Sequence, residues 1–320
     1  MGRSTTIMII RKSIHTFLQN YNYFTYTSLL ALPFSTSILL SSSLSPDSIP
    51  FQNTIHFRLR SLFVAVGIPT SYGLFSIFSL KLSQTITSSI LVLPFTFSFL
   101  LITKTFIIEH LNNHHKRPPS FARIFNSILQ TQLWNSILFI SANSTSFCIL
   151  FIAFNCLENL KLFSSSTLVL LFSMIGGITY SIVIANSMII CNIALVLSGM
   201  ESKGGFMSLI KACVLIKRRT TTALSLALYI SIILAGIEAL FQFRVARFYV
   251  NTETSKPSTL VLLEGVLIAY LYSLIITFDT VTSCVFYKSC KLAGSKNVFY
   301  EEGRIHGYFL EVKSEEEDLQ

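Results

Sequence analysis

Between Tyr26 and Phe286 long apolar runs alternate with short polar connections, and six of the runs hold no Asp, Glu, Lys, Arg or His at their centres. The runs read as Tyr26 to Leu44, Ile86 to Ile108, Leu133 to Leu157, Thr167 to Leu197, Thr221 to Phe243 and Leu260 to Phe286. Each has the roughly 20 residues that a helix needs to cross about 30 Å of hydrocarbon. A chain in lipid must satisfy its backbone hydrogen bonds internally, so the pattern predicts helices. The expected fold class is all-α: a polytopic membrane helical bundle with six transmembrane helices. The fourth run is too long for one straight crossing, so it must tilt, bend near Gly176 and Gly177, or project beyond the membrane on the side of Glu201.

Three further stretches carry apolar residues at helical spacing with basic or polar residues on the other side, the mark of amphipathic helices at the membrane interface. In Ser120 to Gln132, Phe121, Ile124, Phe125, Ile128 and Leu129 oppose Arg123, Asn126, Ser127 and Gln130. In Ser4 to Asn20, Ile7, Ile10, Ile14 and Phe17 oppose Arg11, Lys12, His15 and Gln19. The third is Gly205 to Arg219, with Phe206, Leu209, Ile210, Cys213 and Ile216. Each precedes a pair of spans, so the chain also parses as three units of surface helix, outward span and returning span. The copies do not align residue by residue.

Charge sets the expected orientation. With the N-terminus in the cytosol, 17 of the 24 Lys and Arg residues fall on the cytosolic side, a strong positive-inside bias. Ser61 to Leu80 is uncharged and long enough to span, but counting it as a seventh crossing reverses that bias. Gly67, Pro69 and Gly73 interrupt it as well, so it reads as an interfacial or re-entrant piece on the outer face. The N-terminal lead is too long for a signal peptide and no small-residue cleavage site follows, so the first span is expected to remain. The organisation is then residues 1–25 as a cytosolic N-terminus with a basic amphipathic helix, 26–288 as the six-span domain, and 289–320 as a cytosolic acidic tail. Its ending, Glu315-Glu316-Glu317-Asp318, reads as a solvated, disordered segment.

Composition narrows the function. Hydrophobic residues make up 52% of the chain and charged residues 12%, against about 25% charged in soluble domains. Little chain lies outside the spans, which leaves no room for a separate catalytic domain. There is no HExxH, no GxSxG and no phosphate-binding glycine loop, so no catalytic residue and no cofactor are expected. His110, His114 and His115 approach metal-ligand spacing but sit in a polar linker ending in Lys116-Arg117-Pro118-Pro119, and no metal site is expected. The six cysteines form no CxxC or disulfide pattern. Cys290, between Lys288 and Lys291, is a candidate for S-acylation, and Met1-Gly2 with Thr6 matches a short N-acylation pattern.

The basic residues beside the amphipathic faces carry the plainest chemistry. Arg11, Lys12, Arg123, Lys211, Lys217, Arg218 and Arg219 are candidate contacts for anionic head groups of the cytosolic leaflet. Within the spans, Asn143, Asn186 and Asn192 are candidate polar contacts, either between helices or along a polar pathway, and Ser173, Gly177 and Ser181 form a small-residue face for close packing. Lys104, Glu238, Glu264 and Asp279 lie near span ends, where they are expected to reach water or head groups without a buried partner. Glu238 with Arg244 and Arg247 reads as an outer-edge charge cluster.

The ending also carries a resemblance. Val285-Phe286-Tyr287, then Cys290-Lys291, then His306-Gly307-Tyr308 through Glu311-Val312 resembles the C-terminal part of a plant-specific family of multi-pass membrane proteins of unknown function. Glu201, Gly205, Lys211, Leu215 and Arg219 match, without gaps, that family's pattern between the fourth and fifth spans. The chain departs from it at Ser202, where the family often has proline, and at Arg218, where it often has glycine. The resemblance implies six helices and supplies no activity.

The expected function is therefore that of a non-enzymatic integral membrane protein that organises membrane or binds anionic lipid through its basic surface helices. The alternative is a transporter or channel for a small neutral solute. Partners are expected to be membrane lipids, with a homo-oligomer or another membrane protein as further candidates and no nucleic acid.

Overall fold

The computed structural model describes residues 2–43, 54, 57–58, 61, 83, 86–87, 89–112, 121–159, 166–217, 219–247 and 259–317. Eight α-helices build the described part: α1 (Gly2–Gln19), α2 (Tyr21–Ser43), α3 (Leu101–Asn112), α4 (Phe121–Asn159), α5 (Ser166–Glu201), α6 (Phe206–Lys217), α7 (Thr220–Phe241) and α8 (Thr259–Glu317). A π-helical turn, Thr96–Leu100, leads into α3, and another, Gln242–Ala246, extends α7. The fold is all-α.

Six segments are long and apolar enough to cross a membrane: Tyr21–Ser41, Ser89–Asn112, Phe121–Leu150, Met174–Glu201, Thr220–Ala246 and Thr259–Leu292. Their succession defines two ends of the bundle. One gathers α1, α6, the starts of α2, α4 and α7, and the last turns of α3 and α5; it is the end rich in Lys and Arg. The segment Ser61 to Leu80 lies almost wholly outside the described residues.

The helices pack in the manner of membrane proteins, where small residues allow close approach and hydroxyls bond across the seam. Between α2 and α8, Ser28, Ser273 and Thr277 are fully buried, with Ala31 and Ala269 beside them. Ser28 Oγ donates to Thr277 Oγ1 at 3.0 Å, and Ser273 Oγ donates to the Ser28 carbonyl. A main core at the basic end joins Phe24, Leu101, Ile107, Ile108, Ile124, Ile128, Val196, Val281 and Phe286. A smaller one at the opposite end joins Phe34, Leu39, Phe241, Ile268 and Ile276. α8 lies against α1, α2, α3, α5 and α7, which makes it the central element.

Several expectations change here. The stretch expected as a surface helix over Ser120 to Gln132 is no separate helix: from Phe121 on it is the first third of α4, which runs unbroken to Asn159, and Ser120 lies outside the described residues. The reason is its buried face. Ile124, Ile128, Thr131 and Asn135 follow one another at three- and four-residue steps, so one stripe carries straight through the expected boundary. α5, by contrast, keeps to expectation: it is one helix of 36 residues across Gly176 and Gly177, too long for one straight crossing. The expected small-residue seam is rotated as well. A methyl group at Gly176 would stand 2.8 Å from Leu150 of α4, whereas one at Gly177 would meet nothing within 4 Å. The backbone of α8 continues as helix through Glu317, where a disordered tail was expected; Glu, Lys and Leu there are good helix formers.

Candidate functional site

The most concentrated chemistry among the described residues lies within the spans. Lys104 on α3 is 7% exposed, and its ammonium donates to Asn192 Oδ1 on α5 at 2.8 Å. Asn192 Nδ2 donates onward to Asp279 Oδ2 on α8 at 2.8 Å and reaches Ser283 Oγ at 3.4 Å. One carboxamide thus bridges a cation on the second span and an anion on the sixth. Pairing through hydrogen bonds offsets the cost of removing both charges from water.

This corrects the expectation that Lys104 and Asp279 escape to head groups without a buried partner. Hydropathy reports how deep a residue lies and leaves open which way it faces. A usable signal was nonetheless present. Lys104, Asn192 and Asp279 each lie about two to four turns inward from the basic-end terminus of their spans, at Asn112, Glu201 and Leu292, so two opposite charges and an amide fall in the same half of the bundle.

A second cluster sits at the basic end. Glu201, the last residue of α5, accepts from Lys211 Nζ on α6 at 2.6 Å and from Tyr287 Oη on α8 at 3.0 Å. The Lys291 ammonium lies 6.0 Å from the centre of the Tyr287 ring. Lys288 Nζ donates to the Leu111 carbonyl at 2.6 Å, neutralising an orphan acceptor in the last turn of α3. The turn from α5 into α6 is shaped for this. Gly205 has φ of 92° and donates its N–H to Thr131 Oγ1 at 3.0 Å. A methyl group at Gly204 would fall 2.4 Å from the Ser127 carbonyl oxygen. Ser202 has φ of 52°, a conformation that the proline ring forbids.

The other candidate residues separate clearly. Arg11, Lys12, Arg123, Lys211 and Lys217 are exposed, Arg219 is half-buried at the N-cap of α7, and Arg218 lies outside the described residues. Asn143 accepts from Tyr180 Oη at 2.7 Å, tying α4 to α5. Asn186 is exposed and lines an open groove of about 630 Å³ with Met174, Gly177, Ser181, Ala185 and Leu224.

Arg244 pairs with Glu264 at 2.8 Å instead of Glu238, and Arg247 lies 5.7 Å from the Phe243 ring centre. His110 stacks on Tyr23 at 4.1 Å, while His114 and His115 lie outside the described residues. Among the described residues no group of three or more His, Cys, Asp or Glu could hold a metal ion. Cys290, the expected candidate for S-acylation, is packed in the core.

Six apolar helices of spanning length, stitched by buried polar contacts, define a multi-pass helical membrane protein. Comparison with known families is more particular: the profile of Domain of unknown function (DUF8558) matches residues 5–300, and the chain belongs to that family. Neither the curated proteins nor the solved structures contain a match to the chain.

Proposed function

We propose that the protein is a non-enzymatic membrane protein that engages anionic lipid head groups through its basic end, which faces the cytosol with both termini. The orientation rests on the positive-inside bias. The observation that carries the reading is the outer surface of α1 and α6. Each helix gives one face to the bundle and turns a second strip outward. On α1 the buried face is Thr6, Ile9 and Ser13, while Ile7, Arg11, Ile14 and Leu18 are exposed. On α6 Leu209 and Ala212 are buried, while Phe206, Ile210 and Val214 are exposed beside Lys211 and Lys217. Apolar residues flanked by Lys and Arg suit the boundary between acyl chains and head groups.

Native mass spectrometry of protein released from nanodiscs of mixed neutral and anionic lipid tests this. The wild type should retain anionic lipid preferentially, and Arg11→Gln with Lys12→Gln and Lys217→Gln should remove most of the preference, at about 1 kcal/mol per charge. Equal retention by wild type and variant would contradict the reading.

A second reading, passage of a small neutral solute, draws on the groove beside Asn186, which places an amide and a hydroxyl on an otherwise apolar helix face. Flux in reconstituted vesicles that falls in Asn186→Leu would favour it, and absence of flux across a solute panel would remove it.

A further inference from the structure

We propose that Asp279 and Lys104, joined through Asn192, form a proton-loading site within the membrane, and that loading it changes how the second, fourth and sixth spans pack. The geometry supplies the reasons. Three spans each contribute one side chain to a single hydrogen-bonded chain, with Lys104 Nζ to Asn192 Oδ1 at 2.8 Å and Asn192 Nδ2 to Asp279 Oδ2 at 2.8 Å. The carboxamide holds the two charges in one network yet out of direct contact: among the described residues, ion pairs within 4.0 Å are Lys211 with Glu201 and Arg244 with Glu264.

With Asp279 ionised the layer is neutral overall. A solvent proton that binds the carboxylate converts it to the acid. Its Oδ2, as the carbonyl oxygen, still accepts from Asn192, so the hydrogen-bonded chain survives. What is lost is the counter-charge of the Lys104 ammonium. An uncompensated cation this deep in a membrane is costly, and a shift of the second span against the other two relieves it. A proton also needs no vacant volume, which suits a site filled by its own side chains.

The groups that face the pair make the assignment specific. Cys191 from α5 and Cys284 from α8 lie beside the ammonium, and Asp279 is faced by Lys104, Asn192 and Cys284. Thiols and an amide do not take up protons on the acid side of neutrality, so uptake there belongs to the carboxylate. Nothing in this site depends on lipid head groups, so it stands apart from the role of the basic end.

Infrared difference spectroscopy on the full chain in nanodiscs, with the aspartates carboxyl-labelled with ¹³C, tests the proposal. Asp47, Asp279 and Asp318 are the chain's aspartates. On going from mildly alkaline to mildly acidic buffer, a label-shifted C=O band of a protonated, desolvated carboxyl should grow in, and it should be missing in Asp279→Asn. In Lys104→Met the band should be present already at neutral pH, because the cation that holds the proton off is gone. Distance probes at the exposed positions Phe106 and Leu271 should report movement of the second span against the sixth as the band appears.

A wild-type spectrum with no such band at any pH at which the chain stays folded would overturn the proposal without reliance on a variant. A band that Asp279→Asn leaves in place, or that Lys104→Met leaves unmoved, would overturn the assignment. A band without any distance change would overturn the coupling to packing.

Discussion

The two halves of the α4–α5 pair sit in contrasting surroundings. Towards the basic end the pair is enclosed: Ile124, Ile128, Ala194 and Val196 are fully buried. Side chains also stitch it to backbone there, with Ser127 Oγ donating to the Ser198 carbonyl and Asn135 Nδ2 to the Cys191 carbonyl, each at 3.0 Å. Towards the other end the same helices are exposed on most sides, as Ile140, Ile149, Met174, Ile178 and Ile182 illustrate. Hydropathy does not separate the halves, because lipid and protein interior are equally apolar. Polar content does. In a membrane the hydrophobic effect drives no helix against another, so packing and interhelical hydrogen bonds decide which segments associate. The enclosed half has both, and among the described residues the contacts of the open half include the Tyr180–Asn143 bond and that of Gly176 with Leu150.

That contrast can be broken most severely at the charges. Lys104→Met leaves the buried Asp279 either to hold a proton at a pH where a free carboxyl would lose it or to stand as a lone anion, and should destabilise the protein by about 3–5 kcal/mol, read as a lowered midpoint of unfolding in mixed micelles. Close behind is the turn between α5 and α6. Gly204→Val drives side-chain atoms into the Ser127 backbone, which cannot yield as a flexible side chain would, and should cost about 3 kcal/mol, seen as loss of monodisperse protein on size exclusion. Glu201→Gln weakens a partly exposed pair with Lys211 and should cost about 1 kcal/mol or less, diminishing with added salt.

The open half should respond less. Tyr180→Phe removes one hydrogen bond to Asn143 and should cost about 0.6 kcal/mol. Smallest of all is Gly177→Ala. With nothing within 4 Å of the new methyl group, the better helix propensity of alanine should leave stability unchanged or raised by up to about 1 kcal/mol. A large loss at Gly177 would mean that the open face is closed by a partner and would erase the contrast.

Much of the fold was legible because membrane crossing imposes a length and composition on each segment separately. The six spans therefore appeared without knowledge of their neighbours. The surface character of α1 and α6 was legible from periodicity, although Ile7 and Ile14 face outward while Ile9 and Ser13 face the bundle. Other features depend on azimuth, which apolar composition leaves undetermined. Gly176 and Gly177 are adjacent and identical in sequence, yet one meets α4 and the other open space. The bridge through Asn192 joins residues far apart in the chain, and only a place in the same half of the bundle and opposite charge hinted at it. The residues of the resemblance between the fourth and fifth spans were legible as a pattern, and packing supplies the reasons: Glu201 with Lys211, and Gly205 against Thr131.

A double-mutant cycle between Lys104 and Asp279 tests most directly the claim that polar bridging holds the enclosed half together. Lys104→Met and Asp279→Leu should each destabilise the protein in mixed micelles, and the double variant should recover most of the loss, because neither charge is then left alone in the membrane. Losses that simply add would contradict the claim and return both residues to the role of independent charges at the span ends.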